Sequence, residues 1–506
     1  MVWLLVVLAI IFTGLLYLTT VKPKDYPPGL LYLTTVKPKD YPPGPKWYPI
    51  KGSVDALRKY IVKCGSQHIA FAKLAQEYNT NILGLKLGED FVVVVFTYDI
   101  IKHILRSEDF ESRPDNFFIR LRSMGEKKGI TCADGERWSS QRGFLVKHFR
   151  NLGFGKEEMQ KMVQEELSDI LLTLECNGLN VEVGKLFSPA VISILWNLTA
   201  GSRIKRNDRR LQNILDLLAR RSKIFDMAGG RLNMYPWLRF IMPKKSGYKL
   251  MMEINREMKA FFMEVIKEHY ANWNGKTRGD LIYEFITEMK KNTFNSYFTE
   301  DQLVMVCADI LIAGAQTTSN TLDFAFLMMI LHENIQCKVQ EELDRVFQSD
   351  VPIAYSDRIN TPYTEAVLME VERFLHVVPI IGPRRVLTDV KLEQYIIPKN
   401  TTVLISTYSV HMDKEFWIDP EVFRPERFLN ELNELVVPER FIPFGLGKRR
   451  CLGEALAKSC LFTFFAEIMR KFSVTCSPNE TKPTGIPIGG MTLSPENYKA
   501  VFTKRH

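Results

Sequence analysis

The chain has 506 residues, 46% hydrophobic and 25% charged, with a net charge of +9. Its eight cysteines are scattered without a C-x-x-C pair or a zinc spacing, which argues against a disulfide scaffold and a zinc site. The basic residues are dispersed, so nucleic acid is not an expected partner. No Gly/Ser-rich or low-complexity stretch interrupts residues 46–506, which predicts one large domain, 53–506, behind an N-terminal appendage.

The first 21 residues are expected to form a transmembrane signal anchor. Residues 2–21 carry no charge and, as a helix, span about 30 Å, the thickness of a bilayer core. Lys22 and Lys24 follow at once, so the positive-inside rule places the following domain in the cytosol. The alternative is a hydrophobic helix of the protein core.

Residues 22–52 form a Pro-rich linker that contains an unusual repeat. The segment 15–29, LLYLTTVKPKDYPPG, recurs without change as 30–44. The second copy has no bilayer left to cross. We interpret the repeat as a recent duplication or an artefact of the gene model, and we expect it to have no role in attachment or catalysis.

The remainder is predicted to be mainly α with small β-sheets. Apolar residues recur at helical spacing in 158–174, 250–270, 299–333 and 454–471, whereas strand-like runs such as 91–96 are short. Thr299 is expected to cap the longest helix, with Gln302 as its capping-box partner. Charged and amide residues inside that helix favour a core location over a membrane span.

The segment 444–453, FGLGKRRCLG, carries the candidate chemistry. Gly445, Gly447 and Gly453 let the backbone turn tightly, and a helical pattern begins directly afterwards. Cys451 would then lie at a helix N-terminus among basic residues, which predicts a lowered thiol pKa and a role as metal ligand or nucleophile.

This stretch resembles the cysteine loop F-x-x-G-x-R-x-C-x-G of the cytochrome P450 superfamily at every fixed position. The resemblance implies a single large helical haem domain containing haem b (heme b, iron protoporphyrin IX). It also implies that Cys451 is the axial iron ligand and that Phe444, Gly445, Gly447 and Arg449 surround the cofactor. In that family, the thiolate donates electron density that favours O–O cleavage.

Further family motifs follow the same order along the chain. Glu370 and Arg373 match the E-x-x-R pair, which Arg427 of the P-E-R-F segment is expected to complete, serving fold and haem retention. The resemblance implies that one tryptophan and four arginines contact the haem propionates. These residues are Trp138, Arg142, Arg113, Arg384 and Arg449. Arg384 stands where the family often has histidine.

The long helix carries AGAQTT, similar to the family's oxygen-binding groove. The resemblance implies that Gly314 makes room for dioxygen and that Thr317 offers a hydroxyl to it. Gln316 replaces the usual carboxylate, and an amide cannot relay a proton by changing charge. Proton delivery is therefore expected to use Thr317 and water, or another relay.

The resemblance implies an NADPH-dependent monooxygenase that hydroxylates or epoxidises a lipophilic molecule, either a hormone-like terpenoid or steroid or a xenobiotic. The chain has no G-x-G-x-x-G unit, so a separate NADPH-cytochrome reductase must supply electrons, with cytochrome b5 as a second donor. The docking surface is expected at Lys448, Arg450 and Lys147. Two alternatives are a reductase-independent haem-thiolate isomerase or dehydratase and a non-catalytic haem-binding sensor or carrier.

The expected pocket draws on 116–129, 308–317, 377–383 and the 489–491 turn, which are largely apolar. Residues 234–242 are expected to form part of a lid that either contacts membrane lipid or packs on the protein. The lid and loop sequences are most similar to insect microsomal members related to the vertebrate drug-metabolising clan, including methyl farnesoate epoxidase-like members.

Overall fold

The computed structural model describes eight stretches of the chain, 36–151, 157–222, 230–274, 279–291, 297–348, 351–478, 480–490 and 492–505. The expected anchor, the first copy of the repeat and Met491 lie outside the described residues.

Helices dominate the described residues, as the apolar periodicity predicts. Those preceding the longest helix are α1 Val54–Cys64, α2 Gln67–Glu77, α3 Tyr98–Arg106, α4 Phe117–Arg122, α5 Gly135–Asn151, α6 Glu157–Asn177, α7 Val183–Ala200, α8 Arg209–Ser222, α9 Gly230–Met234, α10 Leu238–Ile241, α11 Tyr248–Asn272 and α12 Leu281–Lys291. The longest helix and those after it are α13 Glu300–Leu331, α14 Glu333–Val346, α15 Pro362–Leu375, α16 Thr407–His411, α17 Lys414–Trp417 and α18 Glu454–Lys471.

The strands form three small sheets. The strands are β1 Ile82–Leu87, β2 Asp90–Val95, β3 Val181–Glu182, β4 Ile380–Arg385, β5 Val390–Leu392, β6 Tyr395–Ile397, β7 Thr402–Ser406, β8 Phe472–Cys476 and β9 Lys499–Lys504. The largest sheet has the order β1-β2-β7-β4, with β2 and β7 parallel and the other pairs antiparallel. The other two sheets have the orders β3-β9-β8 and β5-β6.

The longest helix, α13, runs through the core. The Thr299 side chain accepts a hydrogen bond from the Gln302 amide at 3.2 Å, which confirms the predicted N-cap. The predicted capping box is wrong, because the Gln302 side-chain amide instead bonds both backbone groups of Gly129. By length and composition, α7 and α13 are both candidate membrane spans, but 72% of each apolar window is buried inside the protein. Both are core helices.

Residues at the end of the predicted linker pack against the main sheet. Tyr41 and Trp47 are buried, and the Tyr41 hydroxyl approaches the carbonyl oxygens of Leu85 and Val92 at 3.1 Å. A β-carbon on Gly44 would lie 2.1 Å from the Gly84 carbonyl oxygen. Ordered packing therefore begins before residue 53, the expected domain boundary.

Candidate functional site

The loop that precedes α18 is closed by backbone hydrogen bonds. The Cys451 N–H donates to the Phe444 carbonyl at 2.9 Å, and the Gly445 N–H donates to Ile442 at 3.0 Å. Gly445 and Gly447 both adopt φ of +72°, which disfavours side chains with a β-carbon. At Gly447, such a carbon would also lie 2.1 Å from the Leu105 carbonyl oxygen. These glycines therefore allow the turn and its close approach to α3.

Cys451 remains accessible to solvent in this loop. The protein packed around its sulfur nevertheless replaces part of its hydration and raises its pKa, although a hydrogen bond from the Gly453 N–H and the charge of Arg142 oppose that effect. The predicted lowered thiol pKa is therefore wrong for the polypeptide by itself. Two of the neighbouring cations are engaged elsewhere, since Lys448 pairs with Glu108 at 2.6 Å and Arg449 donates to the Ala133 carbonyl at 2.8 Å.

The middle of α13 is accessible although the helix is otherwise largely buried. Ala313 is exposed and Thr317 is half-buried, whereas Ala308 and Leu322 are buried. The Thr317 hydroxyl donates to the Ala313 carbonyl at 2.7 Å, which leaves its oxygen lone pairs able to accept a hydrogen bond.

Gly314 has a different geometry from the one expected of an oxygen groove. A β-carbon there would meet Leu195 of α7 at 2.8 Å. The missing side chain therefore allows α7 to approach α13 closely. Leu195 fills the space toward which that β-carbon would point, so no groove for dioxygen lies on that side of Gly314.

Three of the predicted propionate ligands, Arg113, Arg384 and Arg449, interact electrostatically. Burial and the other two arginines lower the pKa of Arg384 to about 8, and burial followed by Arg113 lowers that of Arg449 to about 9. The buried Nε atoms of Arg384 and Arg449, and Nη2 of Arg449, have no hydrogen-bond partner in the described structure. Such a cluster is stabilised by anions.

Trp138 is the platform on which Arg449 lies. The Arg449 guanidinium carbon is 3.7 Å from the ring centroid, and the group also donates to the Ala133 carbonyl at 2.8 Å. Arg142 is 5.8 Å from the same ring and donates to the Arg450 carbonyl at 2.9 Å. Arg113 donates to the carbonyls of Thr131, Gly382 and Pro383.

The sequence model of the family Cytochrome P450 matches residues 42–502. This chain belongs to the cytochrome P450 family. It is 42% identical over 495 residues to the probable cytochrome P450 305a1 of Drosophila melanogaster, covering 96% of this chain and 95% of that protein. It is 38% identical over 458 residues to the farnesoate epoxidase of Bombyx mori, covering 90% and 92%. It is 33% identical over 442 residues to the mouse cytochrome P450 2J5, covering 85% and 86%.

As a cytochrome P450, the protein is a monooxygenase that binds haem b through a cysteine thiolate. The residues present fit this cofactor. The arginine cluster supplies buried N–H donors without partners, as two propionates require, and Trp138 holds one of the arginines in place. The Gly453 N–H directed at the Cys451 sulfur favours its thiolate form.

Glu370, Arg373 and Arg427 form a fully hydrogen-bonded ion cluster away from these arginines. Glu370 accepts from Arg373 at 2.7 and 2.8 Å and from Arg427 at 3.0 Å, and both Glu370 and Arg373 are 0% exposed. The remaining N–H groups donate to backbone carbonyls, those of His411, Pro420, Trp417, Asp419 and Val422. The cluster ties α15 to the segment that leads to the cysteine loop.

Ala308, Leu311 and Ile312 of α13, which belong to the predicted pocket, border a small apolar cavity of about 10 Å³. The cavity has room for about one water molecule, and its other walls come from α8 and α11, which sequence reasoning did not include. The Gly489–Gly490 turn is exposed and lies against the turn between α1 and α2. The amphipathic spacing of α8 and α11 was the available signal for those walls.

Sequence reasoning also missed a buried polar cluster beside α13. Asp309 accepts the N–H groups of Ile130 and Thr131 at 2.9 and 2.8 Å, and Arg122 and Arg221 are buried nearby. In the sequence, Asp309 is one of the polar residues of the long helix that argue against a membrane span, and neither arginine belongs to a motif.

Proposed function

We propose that this cytochrome P450 uses electrons from NADPH, delivered by a separate reductase, to hydroxylate or epoxidise a lipophilic small molecule. The observation that carries the proposal is the buried cluster of Arg113, Arg384 and Arg449 beside Trp138. Its unpartnered N–H groups match the anionic edge of a haem.

In this proposal, the Cys451 sulfur would hold the iron and the arginine cluster would bind the propionates. Arg142 contributes a further cation at the same edge, where it also holds the Arg450 carbonyl. Phe444, Gly445 and Gly447 shape the loop, and Glu370, Arg373 and Arg427 keep the backbone beneath it in place. When bound, the haem supplies the activation of dioxygen.

Thr317 is proposed to bind the water that carries protons into the site. Its hydroxyl proton is engaged by Ala313, so the oxygen accepts a hydrogen bond from that water. Gln316 can orient a water but cannot exchange a proton with it. One atom of dioxygen enters the substrate, and the other leaves as water after two electrons and two protons have been taken up.

The proposed electron donor is NADPH-cytochrome reductase, with cytochrome b5 as a second donor. Arg450 and Lys147 are exposed and remain the proposed docking cations. Lys448 is a poorer candidate than the sequence indicates, because Glu108 and Glu111 lie 2.6 and 3.7 Å from its ammonium group.

Membrane attachment at the endoplasmic reticulum is proposed from the apolar N-terminal sequence and an exposed surface on α10. Phe240 and Ile241 are 74% and 70% exposed, and Trp237 just before them is 49% exposed. Lys244 and Lys245 follow and are exposed. Apolar side chains beside lysines suit the interface of an anionic bilayer.

The substrate is proposed to be a terpenoid, steroid or xenobiotic. One relative is named for acting on farnesoate, an isoprenoid, by epoxidation. The predicted pocket segments 308–317 and 377–383 are largely apolar, which suits such a molecule.

The decisive experiment reduces the full-length chain in membranes, adds carbon monoxide, and then measures NADPH-dependent product with and without reductase. A red-shifted absorption band that Cys451→Ser abolishes, with product that requires reductase and oxygen, supports the proposal. Product without reductase would indicate an isomerase or dehydratase. The band without any product across terpenoid, steroid and xenobiotic panels would indicate a sensor or carrier.

A further inference from the structure

His411, the last residue of α16, is a buried histidine that contacts the segment leading into the cysteine loop. Its Nε2 atom accepts a hydrogen bond from the Ile442 N–H at 3.0 Å. His411 is 1% exposed and Ile442 is 3% exposed, so little water competes for this hydrogen bond. Because Nε2 accepts, it carries no proton, and the imidazole is neutral with its proton on Nδ1.

The backbone of His411 is held by the buried ion cluster of α15. Arg373 donates from Nη1 to the His411 carbonyl at 2.8 Å. Glu370 in turn holds Arg373 through two hydrogen bonds of 2.7 and 2.8 Å. His411 therefore joins this cluster to Ile442, with a hydrogen bond on each side.

The hydrogen bonds continue from Ile442 into the cysteine loop. The Ile442 carbonyl accepts from the Gly445 N–H at 3.0 Å, and the Phe444 carbonyl accepts from the Cys451 N–H at 2.9 Å. Pro443 follows Ile442 and restricts its backbone to extended conformations, so the direction of the Ile442 N–H determines where the chain enters the loop. Without His411, this buried N–H would lose its acceptor, which is costly.

We propose that His411 is a positioning residue for the haem ligand. Its neutral imidazole fixes Ile442 and thereby the loop that presents the Cys451 sulfur. This role rests on the proposed function, in which Cys451 would hold the iron, and it adds a residue that lies outside the cysteine loop and the E-x-x-R pair.

The surroundings of His411 keep the imidazole neutral. Burial, followed by the charge of Arg373, lowers the pKa of His411 to about 3. The ring of His376, just after α15, lies 5.6 Å from that of His411, and burial followed by the charges of His411 and Arg373 also lowers the pKa of His376. Tyr408 contacts both His376 and His68 of α2, with ring centroids 5.0 and 4.8 Å apart.

Acid is therefore expected to loosen the cysteine loop. A proton on Nε2 would remove the acceptor of the Ile442 N–H and place a second cation beside Arg373. An unfolded histidine has a pKa of about 6.5. The stability that neutral His411 contributes is therefore complete above about pH 6.5 and is lost as the pH falls toward 3.

The test compares His411→Gln with His411→Phe in the haem-loaded full-length chain. The glutamine side-chain oxygen can replace Nε2 as an acceptor but does not titrate, whereas phenylalanine fills the space without an acceptor. Amide hydrogen exchange reports on residues 441–447, and the red-shifted band of the reduced, carbon monoxide-bound protein reports on the thiolate ligand. His411→Phe should speed exchange of the Ile442 N–H at least about five-fold and weaken the band, while His411→Gln should keep both within about two-fold of the parent.

An acid series separates positioning from general packing. Between about pH 7 and about pH 4, the parent should lose the band as the pH falls, and His411→Gln should lose it at a lower pH. His103→Gln, at an exposed histidine of α3, is the control and should match the parent in both measurements.

Equal effects of glutamine and phenylalanine at neutral pH, or the same acid midpoint in His411→Gln and the parent, would overturn the proposal. If His411→Phe does not fold, the acid midpoint of His411→Gln decides. Failure of the proposed function is a separate result, since the parent would then lack the red-shifted band or keep it in Cys451→Ser. Hydrogen exchange at Ile442 would still show whether His411 holds the loop.

Discussion

Leu195 of α7 occupies the space into which a side chain at Gly314 of α13 would project. Its Cδ1 and Cδ2 atoms lie 2.8 and 2.9 Å from the position of a β-carbon at residue 314. Neither helix can shift freely, because both are buried along most of their length. A side chain at residue 314 would therefore require the Leu195 side chain to move.

Gly314→Ala is expected to destabilise the protein by about 1–3 kcal/mol, because the added methyl group displaces the Leu195 side chain from its place between α7 and α13. The free energy of unfolding, measured by denaturant titration, tests this. Leu195→Ala in the same chain should recover part of the loss. Gly143→Ala is the matched control, since that helical glycine has nothing within 4 Å of its β-carbon position and should gain stability from helix propensity.

Glu370→Gln should cost about 3–5 kcal/mol of folding stability, because it leaves Arg373 and Arg427 buried without their shared carboxylate. Chemical denaturation of the haem-loaded protein measures the loss. Asp55→Asn removes an exposed ion pair with Lys51 and should change stability by less than about 1 kcal/mol. Equal effects of the two substitutions would contradict a buried ionic role.

Arg384→Gln should have opposite effects on the haem-free and haem-loaded forms. Burial and the charges of Arg113 and Arg449 hold the pKa of Arg384 near 8, so removing this cation relieves repulsion when no propionate is bound. Haem-free protein should therefore unfold at higher denaturant concentration, while haem dissociates faster. Arg150→Gln, at an exposed arginine of α5, should change neither quantity. If Arg384→Gln raised the denaturant concentration needed to unfold both the haem-free and the haem-loaded forms, a contact between Arg384 and a propionate would be excluded.

Asp323→Asn should stabilise the protein more at pH 8 than at pH 5. Burial raises the pKa of Asp323 to about 7, whereas an unfolded aspartate ionises near 4. The stability contributed by the neutral carboxyl is therefore complete below about pH 4 and is lost as the pH rises to 7. The advantage of asparagine should grow by on the order of 2 kcal/mol between pH 5 and pH 8. A pH-independent difference between variant and parent would rule out a neutral Asp323 in the folded state.

Gln316→Glu should alter the ratio of product formed to NADPH consumed, because a carboxylate beside Thr317 can exchange protons and an amide cannot. Product and NADPH are measured together over a range of pH. A ratio that stays constant across that range would make the replacement of the usual acid irrelevant to proton delivery.

The sequence by itself determined the family, the helical class and the identity of the candidate cofactor residues. These depend on short-range patterns. The cysteine loop, with Gly445, Gly447 and Cys451, is one such pattern, and all of its fixed positions lie within ten residues. Apolar periodicity predicted the longest helix. The polar residues inside it, such as Asp309, predicted its location in the protein core, because a charge is too costly in lipid.

Only the tertiary structure decided what the side chains contact across elements. It placed Leu195 against Gly314, directed Gln302 to Gly129 rather than to its own helix cap, and paired Lys448 with Glu108. It also brought Arg122, Arg221 and Asp309, which lie on three helices far apart in the chain, into one buried polar cluster. Such contacts depend on helix orientation and on the summed burial of distant residues, and no local pattern of residues contains either quantity.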